Sequence, residues 1–501
     1  MKTELFPEDI RPFILPEPGG DLGYDCLKCR ARLQPNRLYY TCPHCGGLLT
    51  ITDSARQRLH EKPGSFWRRL FDYRRMSNHQ AIRGVFLFHE FLAPLIPLTD
   101  IIYLGEGHTP AVAAPLALAK EVGVSFYVKL DGLNPSASFK DRGMAAALSY
   151  LKYLIRTQNL TQVMAICAST GDTSAAAALY SASLGGSVKS AVILPQGRVT
   201  PQQLSQPLGS GASVFETPGV FDDCMKVVEY LSERYQVALL NSKNPWRVLG
   251  QESYAYEVAQ QFDYEVGDLA LLIPVGNAGN ITAILSGLLK FFQAGVIDRL
   301  PKIIAVQSER ANPVFLYYNQ PATNRQYVPV TVRPSVAQAA MIGDPVSFPR
   351  LANLADLYQK AAGPESFFAV EVAEVDIIEG MIQANRRGLP VCTQGGEGLA
   401  GLKKALALGL IAPSETAVVD STAHALKFMD FQNAYFDGRL AQEYGITTRP
   451  ELVNRPRSLN LTGPKPDGQT AMSPEDRQKF VETAAKAIAE SLGLLETNEK
   501  P

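Results

Sequence analysis

The 501-residue chain has almost no net charge, no long apolar run and too few cysteines for a disulfide framework. Its formal charge is −1, with 48 basic against 49 acidic residues, so the balance draws it neither to nucleic acid nor to an anionic membrane. A bilayer span needs about 20 mostly uninterrupted apolar residues. The most apolar stretch, 84–104, is broken by His89, Glu90, Asp100 and prolines, and reads as a packing segment. Near the N-terminus, Lys2 and Glu4 lead to Pro7 and acidic residues rather than to the apolar core of a signal peptide. Of seven cysteines, Cys167, Cys224 and Cys392 are scattered, which argues against a disulfide scaffold. These absences predict a soluble, cytoplasmic protein.

What is present is ordinary in bulk, 46% hydrophobic and 19% charged, and the length suggests roughly three units. The other four cysteines form two pairs, Cys26-Leu-Lys-Cys29 and Cys42-Pro-His-Cys45. Two such knuckles have the spacing of a zinc ribbon, in which four thiolates close a tetrahedral structural site. A thiol redox pair or a decayed knuckle would have the same spacing. The stretch carries Lys28, Arg30, Arg32 and Arg37 but lacks the wider basic surround of a nucleic-acid-binding ribbon, so a structural or interface role is expected. The chain then divides into a tail (1–21), the ribbon (22–50), a connector (51–100), a catalytic region (101–430) and a C-terminal extension (431–501). In the connector, Ser65–Leu70 and Phe71–Tyr73 suggest a helix, with Arg68, Arg69, Arg74 and Arg75 as its solvated face. In the extension, several prolines mark an irregular stretch, and Ser473-Pro474-Glu475-Asp476 caps a helix to about Leu492.

Within 101–430, strand-like runs (125–130, 162–168, 188–194, 269–275, 302–307) alternate with helical ones (222–235, 251–262, 281–294). That order predicts an α/β fold of two largely parallel sheets, a smaller one at roughly 145–260, with ligands at the C-terminal ends of strands. Four turns there carry chemistry. Asn134–Met144 holds Lys140 between a strand and a helix, a place for an amine that forms a Schiff base, though most lysines are solvated charges. Ser169-Thr170-Gly171-Asp172 is a hydroxyl-rich turn opening an alanine-rich helix. Gly276-Asn277-Ala278-Gly279-Asn280 can cradle a phosphate on backbone N–H groups, or be only a tight turn. Val418–Ser421 runs into Thr422, and His424 nearby reads as structural.

Together these stretches resemble the pyridoxal-phosphate (PLP) enzymes of the tryptophan-synthase-β family, fold type II, and among them the threonine synthases. Gly105–Pro110 is similar to E-G-x-T-P, Asn134–Gly143 to N-P-T-G-S-F-K-D-R-G, Gly276–Asn280 to the G-N-A-G-N phosphate cup, and Asn244–Gln251 to N-P-x-R-x-x-G-Q. Thr422 falls where T-G-H-G-L-K supplies a hydroxyl.

The resemblance implies a fold with the cofactor between two α/β subdomains. Lys140, beside Phe139, would carry PLP and act as the mobile base, and Gly276–Asn280 would hold its phosphate. Asp172 would face the ring hydroxyl and Thr422 the ring nitrogen. Arg247 and Asn244, with Ser169 and Thr170, would bind substrate; the competing reading of Arg247, a paired surface arginine, is the less favoured one. The implied reaction converts O-phospho-L-homoserine and water to L-threonine and phosphate, with a homodimer expected. Alternatives are a relative acting on phosphoserine or on serine and threonine, or a non-catalytic PLP-binding scaffold. Some positions depart from the pattern: Ser136-Ala137 replaces Thr-Gly, Ala423 and Ala425 replace glycines, and Thr393–Glu397 replaces a P-A-S-A-A or P-H-T-G segment.

Overall fold

Strands β1 (Leu22–Cys26), β2 (Arg32–Leu33) and β3 (Leu49–Asp53) open the chain, followed by β4 (Ala111–Ala113), β5 (Phe126–Leu130), β6 (Val163–Ala168), β7 (Val188–Pro195), β8 (Ser213–Thr217), β9 (Val237–Leu239), β10 (Leu269–Pro274), β11 (Lys302–Ser308), β12 (Phe367–Val372) and β13 (Thr416–Ser421). The computed structural model describes residues 3–161, 163–169, 171–196, 201–218, 221–468 and 470–494. Three sheets form: an antiparallel β2-β1-β3, a six-stranded β12-β11-β10-β13-β5-β4 and a four-stranded β8-β7-β6-β9. In the six-stranded sheet only β4 runs antiparallel, and the four-stranded sheet is parallel throughout. Such sheets need cover on both faces, which explains why every residue of Leu269–Pro274 is buried.

The helices that bear on function are α1 (Gly64–Arg75), α2 (Lys140–Gln158), α3 (Asp172–Ala182), α4 (Pro245–Gln251), α5 (Ser253–Gln261), α6 (Gly279–Gln293), α7 (Phe348–Ala362) and α8 (Thr393–Ala407). Helices α2 and α4 meet at van der Waals range through glycines. A Cβ at Gly250 would lie 2.3 Å from the Arg142 carbonyl oxygen, and one at Gly143 would lie 2.8 Å from that of Arg247. One apolar core runs from the first sheet through α1 and into both parallel sheets. The stretch 84–104 belongs to it, with Val85–Phe88, Phe91 and Leu92 all buried.

The expected solvated face of α1 is corrected at Arg74, which is fully buried. Trp67, Leu70, Phe71 and Arg74 stand at i, i+3, i+4 and i+7, so this arginine occupies a place on the apolar stripe. Its guanidinium donates to the carbonyls of Phe13, Ile14 and Leu87 and pairs with Glu90 at 2.5 Å. No described helix is long and apolar enough to cross a membrane.

Residues divide into two compact units, Met1–Thr448 and Arg449–Pro501. Within the second, helix α9 (Pro474–Leu492) starts where expected: the Ser473 hydroxyl accepts the Asp476 N–H at 3.1 Å.

Candidate active site

The turns singled out by sequence follow the C-terminal ends of β5, β6, β10 and β13, and the register of the sheets brings most of them together. Ser421 of β13 lies opposite Leu130 of β5, so Thr422 reaches the turn that precedes Lys140. There the Phe139 N–H donates to the Thr422 carbonyl at 2.8 Å and the His424 N–H to the Ala137 carbonyl at 3.1 Å. Ala137 takes φ +62°, a conformation glycine adopts freely and alanine holds at about 1 kcal/mol. The Ala423 methyl, one of the departures from the family pattern, is buried with Cys392 and Phe428.

Lys140, Phe139, Asp172, Arg247, Thr422 and all of Gly276–Asn280 line one cleft, open at its mouth. Burial, aided by the Arg247 and Lys427 charges and opposed by Asp172, pushes the Lys140 amine down to about 7. The ammonium position lies 4.1 Å from the Phe139 ring centre.

Behind the glycine loop, the first turn of the 15-residue helix α6 has N–H groups without intrahelical partners, a natural anion site. Ala278 caps it at φ +58°. The Asn280 side chain is turned to the core, donating at 2.9 Å to Asp420. Burial, reinforced by Asp131, raises the Asp420 carboxyl well above its usual range. At Gly276 a Cβ would sit 3.0 Å from the Ala340 Cα, so the segment around Ala340 backs the loop and leaves no room for a side chain.

Arg247 is buried and donates through Nη1 to the Leu240 carbonyl at 2.9 Å, while its Nε has no partner. Burial lowers it to about 10, and among the described residues no carboxylate pairs with it. A buried cation with a spare donor in a cleft is suited to an anionic ligand. Asn244 is placed differently: its amide caps α4, accepting the Trp246 N–H at 3.0 Å and donating to the Leu239 carbonyl at 3.0 Å. Ser169 accepts the Gly171 N–H at 3.3 Å and is not among the cleft-lining residues. Thr170 lies outside the described residues.

Three residues emerge only from the structure. Lys427 pairs with Asp172 at 2.8 Å and donates to the Ser136 carbonyl at 2.9 Å, joining α3 to the lysine turn. Its only sequence signal was its place at the end of the Thr422 motif. Gln394 lines the cleft with both amide atoms buried and unpartnered. Gln251 lines it too, beside Gly143 of α2 and Gly279 of α6. Away from the cleft, the sulfurs of Cys26, Cys29, Cys42 and Cys45 all lie within 4.8 Å of one another, a group able to hold a metal ion.

Residues 102–422 match a family described as pyridoxal-phosphate dependent enzyme. The chain is 34% identical over 414 residues to a threonine synthase of Methanocaldococcus jannaschii, covering 81% of this chain and 93% of that one. Among solved structures, threonine synthase of Escherichia coli aligns with a TM-score of 0.59 at 20% identity, over 86% of this chain and 93% of that one. A PLP-bound threonine synthase of Brucella melitensis aligns at 0.58 and 19%, over 82% and 91%. These two likenesses are of fold.

Proposed function

Because the chain belongs to the pyridoxal-phosphate-dependent enzymes, and among them to the threonine synthases, we propose that its cleft converts O-phospho-L-homoserine and water to L-threonine and phosphate. The observation that carries the substrate is Arg247, a buried guanidinium with a free Nε on the same cleft as Lys140. The residues fit the cofactor: a lysine amine, a helix N-terminus behind a loop with no side chain at Gly276, and a neutral hydroxyl at Thr422 all face one space. PLP bound there would supply an electron sink that acidifies protons on the substrate carbons.

Lys140 would hold the cofactor, and its Nζ would take and return protons during the reaction. Gly276–Asn280 bind the cofactor phosphate through backbone N–H groups. Asp172, paired with Lys427, would face the ring hydroxyl. The Thr422 hydroxyl meets the ring nitrogen without adding charge. Arg247 grips the substrate phosphate and stabilises it as it leaves.

The test is release of phosphate and threonine from O-phospho-L-homoserine, with O-phosphoserine as control; turnover of phosphoserine alone would overturn the substrate. Arg247→Ala is expected to raise KM by about tenfold or more, a charge-assisted contact being worth about 1.5–3 kcal/mol, with cofactor absorbance unchanged. Loss of both together would make the residue structural.

Only a neutral amine can attack the cofactor carbonyl. The apoprotein is therefore expected to capture added PLP at a rate that climbs as pH rises through about 7, not through the 10.5 of an ordinary lysine. Stopped-flow absorbance across that range reads it directly.

The four cysteines are the ligands of a structural zinc ion in this reading. Zn–S bonds of about 2.3 Å in a tetrahedron put sulfurs roughly 3.8 Å apart, against 3.5 Å for Cys26–Cys45 and 3.6 Å for Cys29–Cys42.

A further inference from the structure

The cysteine-bearing sheet β1–β3 is docked on the part of the molecule that carries Arg247, and it does so at three points. Tyr24 of β1, wholly buried, accepts the Trp246 indole N–H at 2.9 Å and donates to the Arg37 carbonyl at 3.1 Å. Trp246 directly precedes Arg247, and its ring stacks on Tyr150 with centroids 3.8 Å apart and planes 15° from parallel. Tyr40 closes the free edge of β9, whose other edge pairs with β6. Its hydroxyl accepts the Leu239 N–H at 2.8 Å and donates to the Val237 carbonyl at 3.3 Å. The next residue, Leu240, supplies the carbonyl that holds Arg247.

The third point is Arg350 of α7, buried and without a carboxylate partner among the described residues. It donates to the Leu49 carbonyl of β3 at 2.6 and 3.0 Å, and to the Lys243 carbonyl at 3.1 Å. Lys243 adjoins Ser242, which lines the cleft.

The contact residues are spaced from the cysteines in a way that matters. Tyr24 stands two residues before Cys26, Tyr40 two before Cys42, and Leu49 four after Cys45. The sheet is small, three strands of which one is only two residues long, so little besides its contacts with the main core fixes the two knuckles. An ion on the four sulfurs would pin both knuckles, and with them both tyrosines.

We infer that the cysteine-held sheet positions Arg247: Tyr24, Tyr40 and the Leu49–Arg350 bond fix its guanidinium at the cleft, and metal occupancy sets how tightly the substrate phosphate is gripped. This rests on the reading of Arg247 as the phosphate-binding residue. Lys140 and the glycine loop are also held by bonds that do not involve the sheet, the Phe139 N–H to Thr422 and the Val275 N–H to Val306 among them. They therefore follow it less closely than Arg247 does, although Ser347, which donates to the Asn277 carbonyl and accepts from Arg350, links the loop to the third contact.

The experiment compares Tyr24→Phe, Tyr40→Phe and the metal-stripped holoenzyme with the zinc-restored protein. Each is expected to raise KM for O-phospho-L-homoserine about fivefold to tenfold, the effect of one or two lost hydrogen bonds, with kcat and cofactor absorbance changed by less than about twofold. The chain has two tryptophans, so in an active Trp67→Phe background the emission reports Trp246 alone. That emission is expected to shift when a chelator removes the metal and to return when zinc is added. An unchanged KM in both tyrosine variants overturns the inference, and so does an emission indifferent to metal. A fall of kcat and cofactor absorbance along with KM also overturns it, since the sheet would then only hold the fold. If Arg247→Ala leaves KM unchanged, the reading of Arg247 fails; if Arg247→Ala raises KM and the tyrosine variants do not, only the coupling fails.

Discussion

Lys140→Ala is expected to lower turnover by about a thousandfold or more and to abolish the absorbance of covalently held cofactor, while the protein stays folded. One amine is asked to do two things: hold the cofactor and move protons during the reaction. Proton transfer by a positioned group alone is worth about 10²–10⁴ in rate, so losing both roles falls at or beyond the upper part of that range. The fold should tolerate the change because Lys140 is the first residue of α2, where alanine is an excellent helix former. Nor does burial of the amine stabilise the native state. The folded value is depressed to about 7 from 10.5, so at neutral pH the protonated lysine is carried at a cost that the alanine variant removes. Cofactor should still associate through Gly276–Asn280 and be lost on dialysis. Turnover within about tenfold of the unaltered protein would sink the assignment of Lys140.

The lysine turn, the glycine loop and Thr422 were legible because each is a cluster of small or polar residues directly after a buried strand. In a parallel sheet the strand ends are where such clusters meet. The pairing of β13 with β5 joins residues nearly three hundred positions apart; the alternation of strands and helices implied a largely parallel sheet but not this pairing. Asn244 shows the limit of a motif. Its neighbourhood matches a substrate-binding pattern, but both ends of its amide serve backbone, the oxygen capping α4 and the nitrogen donating to the last carbonyl of β9. A motif reports that a residue type is needed, not whether a ligand or the chain itself needs it. Charges were the least legible. Arg74 could have been found from its place on the stripe of α1, whereas Lys427 showed only as the last residue of the Thr422 motif, with nothing to indicate its partner. Its partner Asp172 lies on a different subdomain. The convergence of the four cysteines was readable from their spacing alone, but what the short sheet β1–β3 touches was not, since Tyr24 and Trp246 are 222 positions apart.

Arg142→Met is expected to destabilise the protein by about 3–5 kcal/mol, the cost of breaking a buried ion pair by removing one partner, and to bring down with it the turn that carries Lys140. Arg142 is wholly buried and donates six hydrogen bonds. Its Nε and Nη2 clamp both oxygens of Asp131 at 2.8 Å, at the end of β5. Nη1 and Nη2 take the two oxygens of Glu257 on α5 at 2.6 and 2.7 Å, and Ser253 and Thr109 complete the set. Lys129 adds a second cation on Glu257 at 2.9 Å. Burial by itself would raise the Glu257 carboxyl, but the Arg142 and Lys129 charges outweigh it and hold the group well below its usual value. A depressed carboxyl contributes stability that is present above its unfolded value near 4.5 and is lost as pH falls through the folded one. In the variant two buried carboxylates face one lysine, so one of them must take up a proton or draw in water. The deficit should therefore be largest near neutral pH and shrink toward acid, where protonation removes the repulsion between the carboxylates. Arg142→Lys should recover little of the loss, because an ammonium cannot span both carboxylates as the planar fork does. Urea unfolding at neutral and mildly acid pH measures both effects. A Met variant within about 1 kcal/mol of the parent at neutral pH would mean that the cluster is a neutral trade against apolar packing, an outcome known for buried ion pairs replaced as a whole but not for one broken in half.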